Sequence, residues 1–203
     1  MAQTHNKVAL PSPTLKGTLS LERLLKQRRS LREFDATPLT IAQIGQLLWA
    51  AQGITADDKL RTAPSAGALY PLELYVVAGH VEGLPAGIYH YDPHGHRLLL
   101  IEPGDQRQGL ASAAMQQMWL ARAPAVIVFG ADHARTAAKY ASRAERYVHI
   151  EVGHAAENLF LQAEDLGLGT VDVGAFDDHQ VARIMQFPHT VAPLLLMPVG
   201  SPR

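Results

Sequence analysis

The sequence predicts an α+β fold and not a doubly wound α/β one. Strand-like and helix-like stretches do not alternate as repeated β-α-β units would require. Ile88 to Leu100 reads as a hairpin turning at Asp92-Pro93-His94-Gly95. Tyr147 to Leu166 reads as one long helix with apolar residues over much of its surface: Val148, Val152, Ala155, Leu159 and Ala163 form a face that Ile150, Phe160 and Leu161 widen. Such a helix belongs in a core or at a subunit interface.

The 203 residues suit one domain. An extended arm over 1–19 carries Pro11, Pro13 and Gly17, is placed to wrap a neighbour, and precedes a single domain over 20–203. A net charge of -1 argues against a nucleic-acid partner. The absence of cysteine excludes disulfides, thiolate catalysis and cysteine-bound metals. The polar N-terminus has no signal-peptide pattern, and the apolar runs Ala123 to Phe129 and Val191 to Val199 are too short to span a bilayer. A soluble cytoplasmic protein is expected.

Taking the elements in order, Ser20 caps a helix with Glu22 in its first turn and Leu21, Leu24 and Leu25 as its stripe. It runs into Arg28-Arg29-Ser30-Leu31-Arg32, three guanidiniums within five residues. Like charges held so close favour an anion between them, and the planar guanidinium fork suits phosphate. A solvated basic helix end is the plainer reading of these residues alone. After a turn at Thr37-Pro38, Thr40 caps a helix through Ile41, Ile44, Leu47, Leu48 and Ala51 that stops at Gly53.

The segment Arg61 to Pro71 is rich in small residues, which lets backbone N–H groups approach a ligand. Leu72 to Ala78 follows as a strand. His90, His94 and His96 on the hairpin are not expected to bind metal, because the turn disperses them. A helix is predicted over Gln106 to Ala121, a strand over Ala125 to Phe129, and a polar helix over Arg135 to Arg146. Glu151 and His154, three apart on the long helix, read as a hydrogen-bonded structural pair and lack the full zinc-protease spacing. Gly167-Leu168-Gly169 ends that helix. Thr170 to Phe176 is a short extended or looped segment, Asp177 or Asp178 caps a helix through Met185, and Pro193 to Val199 is the last strand.

No glycine-rich dinucleotide fingerprint, P-loop or nucleophile elbow is present. The adjacent acids Asp57-Asp58 and Asp177-Asp178 read as turn or cap residues, so nothing positive supports a hydrolase.

Several stretches together, in this order, resemble the nitroreductase superfamily of flavoproteins, and most closely its azoline dehydrogenase branch. They are Arg28 to Phe34, Leu47 to Gly53, Pro64 to Pro71, Gly87 to Tyr91, Lys139-Tyr140, Gly153 to Asn158 and Gly167 to Thr170. The resemblance implies a mostly antiparallel central sheet surrounded by helices, and FMN at the interface of an intertwined homodimer. Arg28, Arg29, Ser30 and Arg32 match the motif for the phosphate, ribityl chain and pyrimidine edge. Pro64, Ser65, Ala66, Gly67 and Leu69 match the loop that reaches the flavin from the second subunit. Asp172, Val173, Gly174 and Ala175 match the segment beside the ring, and Arg203 matches a basic phosphate contact.

Lys139 and Tyr140 match a pair implicated in azoline oxidation and are the candidate catalytic residues. A cation such as Arg32 near the pyrimidine edge would favour the reduced ring. Asp172 stands where this branch usually has proline, and a carboxylate there would disfavour added negative charge. The extra N-terminal peptide-binding region of those enzymes is not recognised, so a stand-alone reductase is expected. The expected function is NAD(P)H-linked, FMN-dependent reduction of nitro-aromatic, quinone or related acceptors by a ping-pong mechanism. The alternatives are an FMN-dependent dehydrogenase of an azoline-like substrate and a flavin-binding protein with little turnover.

Overall fold

The computed structural model describes residues 7–57 and 60–203. Residues 1–6 of the expected arm, and the second acid of Asp57-Asp58, lie outside the described residues. The elements in chain order begin with β1 (Lys7–Ala9), α1 (Leu21–Gln27), β2 (Leu39–Thr40), α2 (Ile41–Gln52), β3 (Leu72–Ala78) and β4 (Val81–Glu82). They continue with β5 (Gly87–Asp92), β6 (Arg97–Pro103), α3 (Arg107–Ala113), β7 (Ala125–Asp132) and α4 (His133–Tyr140). The last are α5 (Ala144–Asp165), β8 (Gly169–Thr170), α6 (Asp178–Ile184) and β9 (Val191–Gly200).

The α+β class and the mostly antiparallel sheet are both observed. Seven strands order as β1-β6-β5-β3-β7-β9-β8, with every ladder antiparallel. A separate two-stranded parallel pair joins β2 to β4. Helices cover both faces of the sheet. Leu74, Val76, Ile127 and Phe129 face α2 and α5, while Tyr75, Val77, Val126 and Val128 face α3 and α6. Burial on both faces explains why β7 reads as one apolar run with no alternation.

The chain segment expected as an arm packs on its own domain from residue 7. β1 forms the sheet edge beside β6, and Leu10 is buried. Further on, the Thr14 N–H donates to Gln46 Oε1 (2.8 Å) and the Thr18 N–H to Asp165 Oδ1 (2.8 Å).

α2 begins with a reciprocal capping box between Thr40 and Gln43. Thr40→Ala is expected to cost about 1 kcal/mol, read as a lower midpoint in urea denaturation. The helix ends at Gly53 in an extended conformation, and not in the left-handed one expected of a glycine stop. Glycine is required there by contact: a Cβ would lie 2.1 Å from Trp49 Cδ1.

Two expected helices are corrected. Gln106 to Ala121 is not one helix, because α3 ends at Ala113 and Met115 and Gln116 take φ of 53° and 60°. Arg107 Nη1 donates to the Ala123 carbonyl (2.6 Å). A continuous helix would hold those residues roughly 24 Å apart, so the chain must reverse. Likewise, Arg135 to Arg146 is broken at Ala141, whose φ is 47°. The long helix therefore starts at Ala144, and the reversal sets Tyr140 edge-on to Tyr147 with ring centres 5.0 Å apart.

The hairpin histidines take separate partners. His90 pairs with Glu73 (2.7 Å), and His96 bonds the Tyr91 hydroxyl (2.9 Å) and the Pro11 carbonyl (2.9 Å).

Candidate functional site

The arginine cluster leaves α1 as an extended segment laid between two distant parts of the chain. Ser30 pairs with Thr170 in a parallel bridge, and the Leu31 N–H donates to the Thr170 carbonyl (2.8 Å). At the other end Phe34 pairs with Pro202, and the Arg203 N–H donates to the Glu33 carbonyl (3.3 Å). Residues 28–34, 170–175 and 201–203, far apart in sequence, thus form one strip. Val173 anchors it to β9 through two backbone hydrogen bonds with Leu196 (2.9 and 3.0 Å).

The members of the cluster have different surroundings. Arg28 is half-buried, with Nε 3.7 Å from Glu157 Oε1 and its guanidinium 5.0 Å from the centre of the Phe160 ring. Arg29 turns back, its Nη1 donating to the carbonyls of Lys26 (3.0 Å) and Arg28 (2.7 Å). It closes the C-terminus of α1, where carbonyls otherwise lack partners. Arg32 lies 5.9 Å from the Trp119 ring centre and lines a cavity of about 280 Å³ with Phe34, Arg122 and Arg203. Among the described residues, the Arg32, Arg122 and Arg203 guanidiniums make no ion pair or hydrogen bond within the chain.

Asp172 keeps solvent access, yet loss of hydration raises its carboxyl above the usual range; Glu157 adds to this and Arg28 opposes it. Gly174 and Ala175 are exposed, and a Cβ added to Gly174 would meet open space.

A second group of expected residues gathers elsewhere. The loop Pro64 to Leu69 packs on the N-terminal half of α5, where Pro64, Ser65 and Ala66 line a cavity with Tyr147, Ile150, Glu151 and His154. Gly67 has a φ of 66°, and a Cβ there would lie 2.9 Å from the Tyr140 hydroxyl and 3.0 Å from Lys139 Nζ. Lys139 and Tyr140 therefore border this loop. Lys139 is exposed, with Nζ 5.4 Å from the centre of the Tyr140 ring. Within one chain the two groups lie along the same helix, against Tyr147 to His154 and against Glu157 to Phe160. The rise of an α-helix puts these stretches roughly 10–15 Å apart.

The expected Glu151–His154 pair is not formed. Glu151 is 2% exposed and lines one cavity with Ser65, while His154 is exposed. Burial pushes the Glu151 carboxyl up to about 7, with Ser65 and the nearby Arg61 pulling the other way.

Comparison with known proteins decides the family. The nitroreductase family model matches residues 25–201. MJ1384 of Methanocaldococcus jannaschii, which carries the nitroreductase name, is 46% identical over 182 residues, 90% of this chain and 91% of that protein. The chain belongs to the nitroreductase family. A nitroreductase homologue of Ralstonia eutropha JMP134 superposes with a TM-score of 0.86 at 32% identity, over 100% of this chain and 92% of that one. A chain of the Escherichia coli microcin synthetase McbBCD, solved with truncated pro-MccB17 bound, gives a TM-score of 0.75 at 25% identity, over 98% of this chain and 79% of that one.

As a nitroreductase-family oxidoreductase, the chain presents groups that fit a flavin nucleotide. Unpartnered guanidiniums suit a phosphate, and the open space over Gly174 admits a flat ring. Sequence reasoning did not place Arg61, Gln52, Trp119 or Arg122 near the site. Trp119 lies inside the expected helix Gln106 to Ala121 and Arg122 directly after it, whereas Arg61 stands in the small-residue loop as its one charge and could have been singled out.

Proposed function

We propose that the protein is an FMN-dependent oxidoreductase working as a homodimer, reduced by NAD(P)H and passing electrons to a nitro-aromatic, quinone or related acceptor by a ping-pong mechanism. The observation that carries this reading is the strip in which Ser30 bridges Thr170 and Phe34 bridges Pro202. It brings Arg28, Ser30 and Arg32 beside Asp172 to Ala175 and Arg203. FMN, when bound, accepts hydride from one partner and delivers it to the next.

In this reading Arg32 and Arg203, which share one cavity, hold the phosphate, Ser30 the ribityl chain, and Arg28, beside Asp172 at the other end of the strip, the pyrimidine edge. Arg29 acts through the end of α1. Val173 to Ala175 leave one ring face open. Arg28 favours negative charge on the ring; Asp172 opposes it less because its own ionisation is disfavoured. Pro64 to Leu69 comes from the partner subunit. A twofold axis that sets two α5 helices antiparallel brings the N-terminal half of one against the C-terminal half of the other. The loop then meets the partner's arginine strip. Ile150, 51% exposed on α5, and Leu21 and Leu25 on α1 supply apolar surface for that contact.

A second reading, dehydrogenation of an azoline-like substrate, is favoured by the placement of Lys139 Nζ and the Tyr140 hydroxyl against Gly67. There Lys139 would take the substrate proton as hydride departs. Lys139→Ala is expected to slow such an oxidation roughly 10²- to 10⁴-fold while FMN stays bound. Single-turnover absorbance with an azoline peptide measures this; loss of FMN from the variant would contradict the assigned role.

Anaerobic stopped-flow mixing of FMN-loaded protein with NADH or NADPH tests the main reading. Rapid loss of the oxidised flavin band is expected. Bleaching by an azoline peptide but by neither nicotinamide favours the second reading. Bound FMN that none of them reduces indicates a binding protein with little turnover, and failure to take up FMN overturns the assignment.

A further inference from the structure

Glu151 is the one charged side chain that is buried among the described residues, and the redox reading above gives it no task. Its Oε1 has no hydrogen-bond partner, although it lines a cavity of about 290 Å³ with Pro64, Ser65, Ala66, Tyr147, Ile150 and His154. The nearest cation does not neutralise it at contact. Arg61 donates to Gln52 Oε1 (2.7 Å) and stacks on the Tyr70 ring (4.6 Å), and no ion pair within 4 Å joins it to Glu151. A buried acid without a contact cation is driven toward its neutral form, so both protonation states are accessible near neutral pH.

The group that senses this choice is Ser65. A hydroxyl has one proton to donate and two lone pairs to accept with. One lone pair of Ser65 Oγ already accepts the Tyr70 N–H (2.9 Å). When Glu151 is ionised, the Ser65 proton goes to the carboxylate, and the hydroxyl can offer a ligand only a lone pair. When Glu151 is protonated, its own O–H donates to Ser65 Oγ and fills the second lone pair. The Ser65 proton is then released to point outward. The loop holds the hydroxyl in place through this exchange. The Ala68 N–H donates to the Ser65 carbonyl (3.0 Å), and Gly67, Ala68 and Tyr70 all have positive φ.

We propose that Glu151 is a proton-controlled positioning residue that decides whether Ser65 offers the bound flavin a hydrogen-bond donor or an acceptor. This rests on the reading that the Ser65 loop contacts FMN. Electron density added to the ring favours the donor form, so Glu151 takes up one proton when the ring is reduced. That proton comes from solvent and returns to it on reoxidation, and no covalent bond to the ring is involved. Ser65 and Arg61 from the loop and Tyr147 and His154 from α5 are the charged or polar groups around Glu151, and Arg61 is itself held by Gln52 and Tyr70. Glu73 and Arg135 act on it through Arg61.

The test has two arms. In the first, the Glu151 carboxyl is titrated by ¹³C NMR in the apo protein. It is expected to titrate near neutral pH, and at higher pH in Ser65→Ala, which loses the donor that favours the carboxylate. Titration in the ordinary carboxylate range, or no response to Ser65→Ala, overturns the proposal without reference to FMN.

In the second arm, the midpoint potential of bound FMN is measured from pH 5 to 9. The wild type is expected to show a bend near neutral pH marking uptake of one extra proton. Glu151→Gln, whose amide keeps donating to Ser65, and Ser65→Ala should both lack the bend. His154→Gln, which removes the imidazole of the cavity lining, should keep it. A bend retained in Glu151→Gln contradicts the proposal while leaving the flavin reading intact. Absence of bound FMN in the wild type defeats that reading instead.

Discussion

Glu151→Gln is expected to make the protein more stable than wild type at pH 8, by roughly 3 kcal/mol if the shift from 4.5 to about 7 is fully expressed. The folded state disfavours the Glu151 carboxylate, so folding raises its pKa. Between the unfolded and folded values the native state binds the extra proton. The stability due to Glu151 is therefore complete below about pH 4.5, falls as pH rises toward about 7, and is flat above. Glu73 shows the opposite behaviour. Burial pushes its carboxyl up, but His90 and Arg135 outweigh that and hold it below the usual range. Its contribution is lost as pH falls. Urea denaturation of wild type and variant at pH 5 and pH 8 separates the two, because the Glu73 contribution cancels in the difference. Convergence at pH 5 with a gap at pH 8 is expected; parallel profiles would show that folding leaves the Glu151 carboxylate as well stabilised as in the unfolded chain.

Arg28→Ala is expected to weaken FMN binding roughly 10- to 100-fold, the effect of losing a charged hydrogen bond worth about 1.5–3 kcal/mol. Its contacts within the chain are loose: 3.7 Å to Glu157 and 5.0 Å to the Phe160 ring centre. A half-exposed pair of that geometry contributes little, so the guanidinium can exchange it for the flavin at small cost. Arg29→Ala is expected to change FMN affinity far less, since its guanidinium is committed to the carbonyls of α1. Fluorescence titration of FMN against both variants reads the difference. Equal losses would mean that the cluster acts only as a diffuse positive field.

Much of the fold was legible because local chemistry and tertiary packing agree. Thr40 and Gln43 form the cap that their spacing suggests, the hairpin turns at Asp92, and Leu72 to Ala78 is a strand as written. The site segments were readable as motifs, and the strip from Arg28 to Phe34 brings together Thr170 to Ala175 and Arg203. The reversals at Met115-Gln116 and Ala141 were not readable. No glycine or proline marks them, and left-handed backbone at these residues is imposed by contacts such as Arg107 with Ala123. Glu151 was misread for a related reason. Its spacing from His154 describes α5 alone, whereas the loop over Pro64 to Ala66 lies against that face and buries the acid. Arg122 was obscured by the helix that its segment seemed to continue.

In the proposed dimer each flavin site joins the arginine strip of one chain to the Ser65 loop of another. A mixed dimer tests it most directly, pairing an Arg28→Ala chain with a Gly67→Val chain. The added side chain at Gly67 would collide with Tyr140 and Lys139 and strain a positive φ. If the sites are shared between chains, one site of the mixed dimer carries both lesions and the other carries none. FMN titration should then give one wild-type-affinity site per dimer. If each site were built within a single chain, both would be damaged, and no wild-type-affinity binding would be recovered.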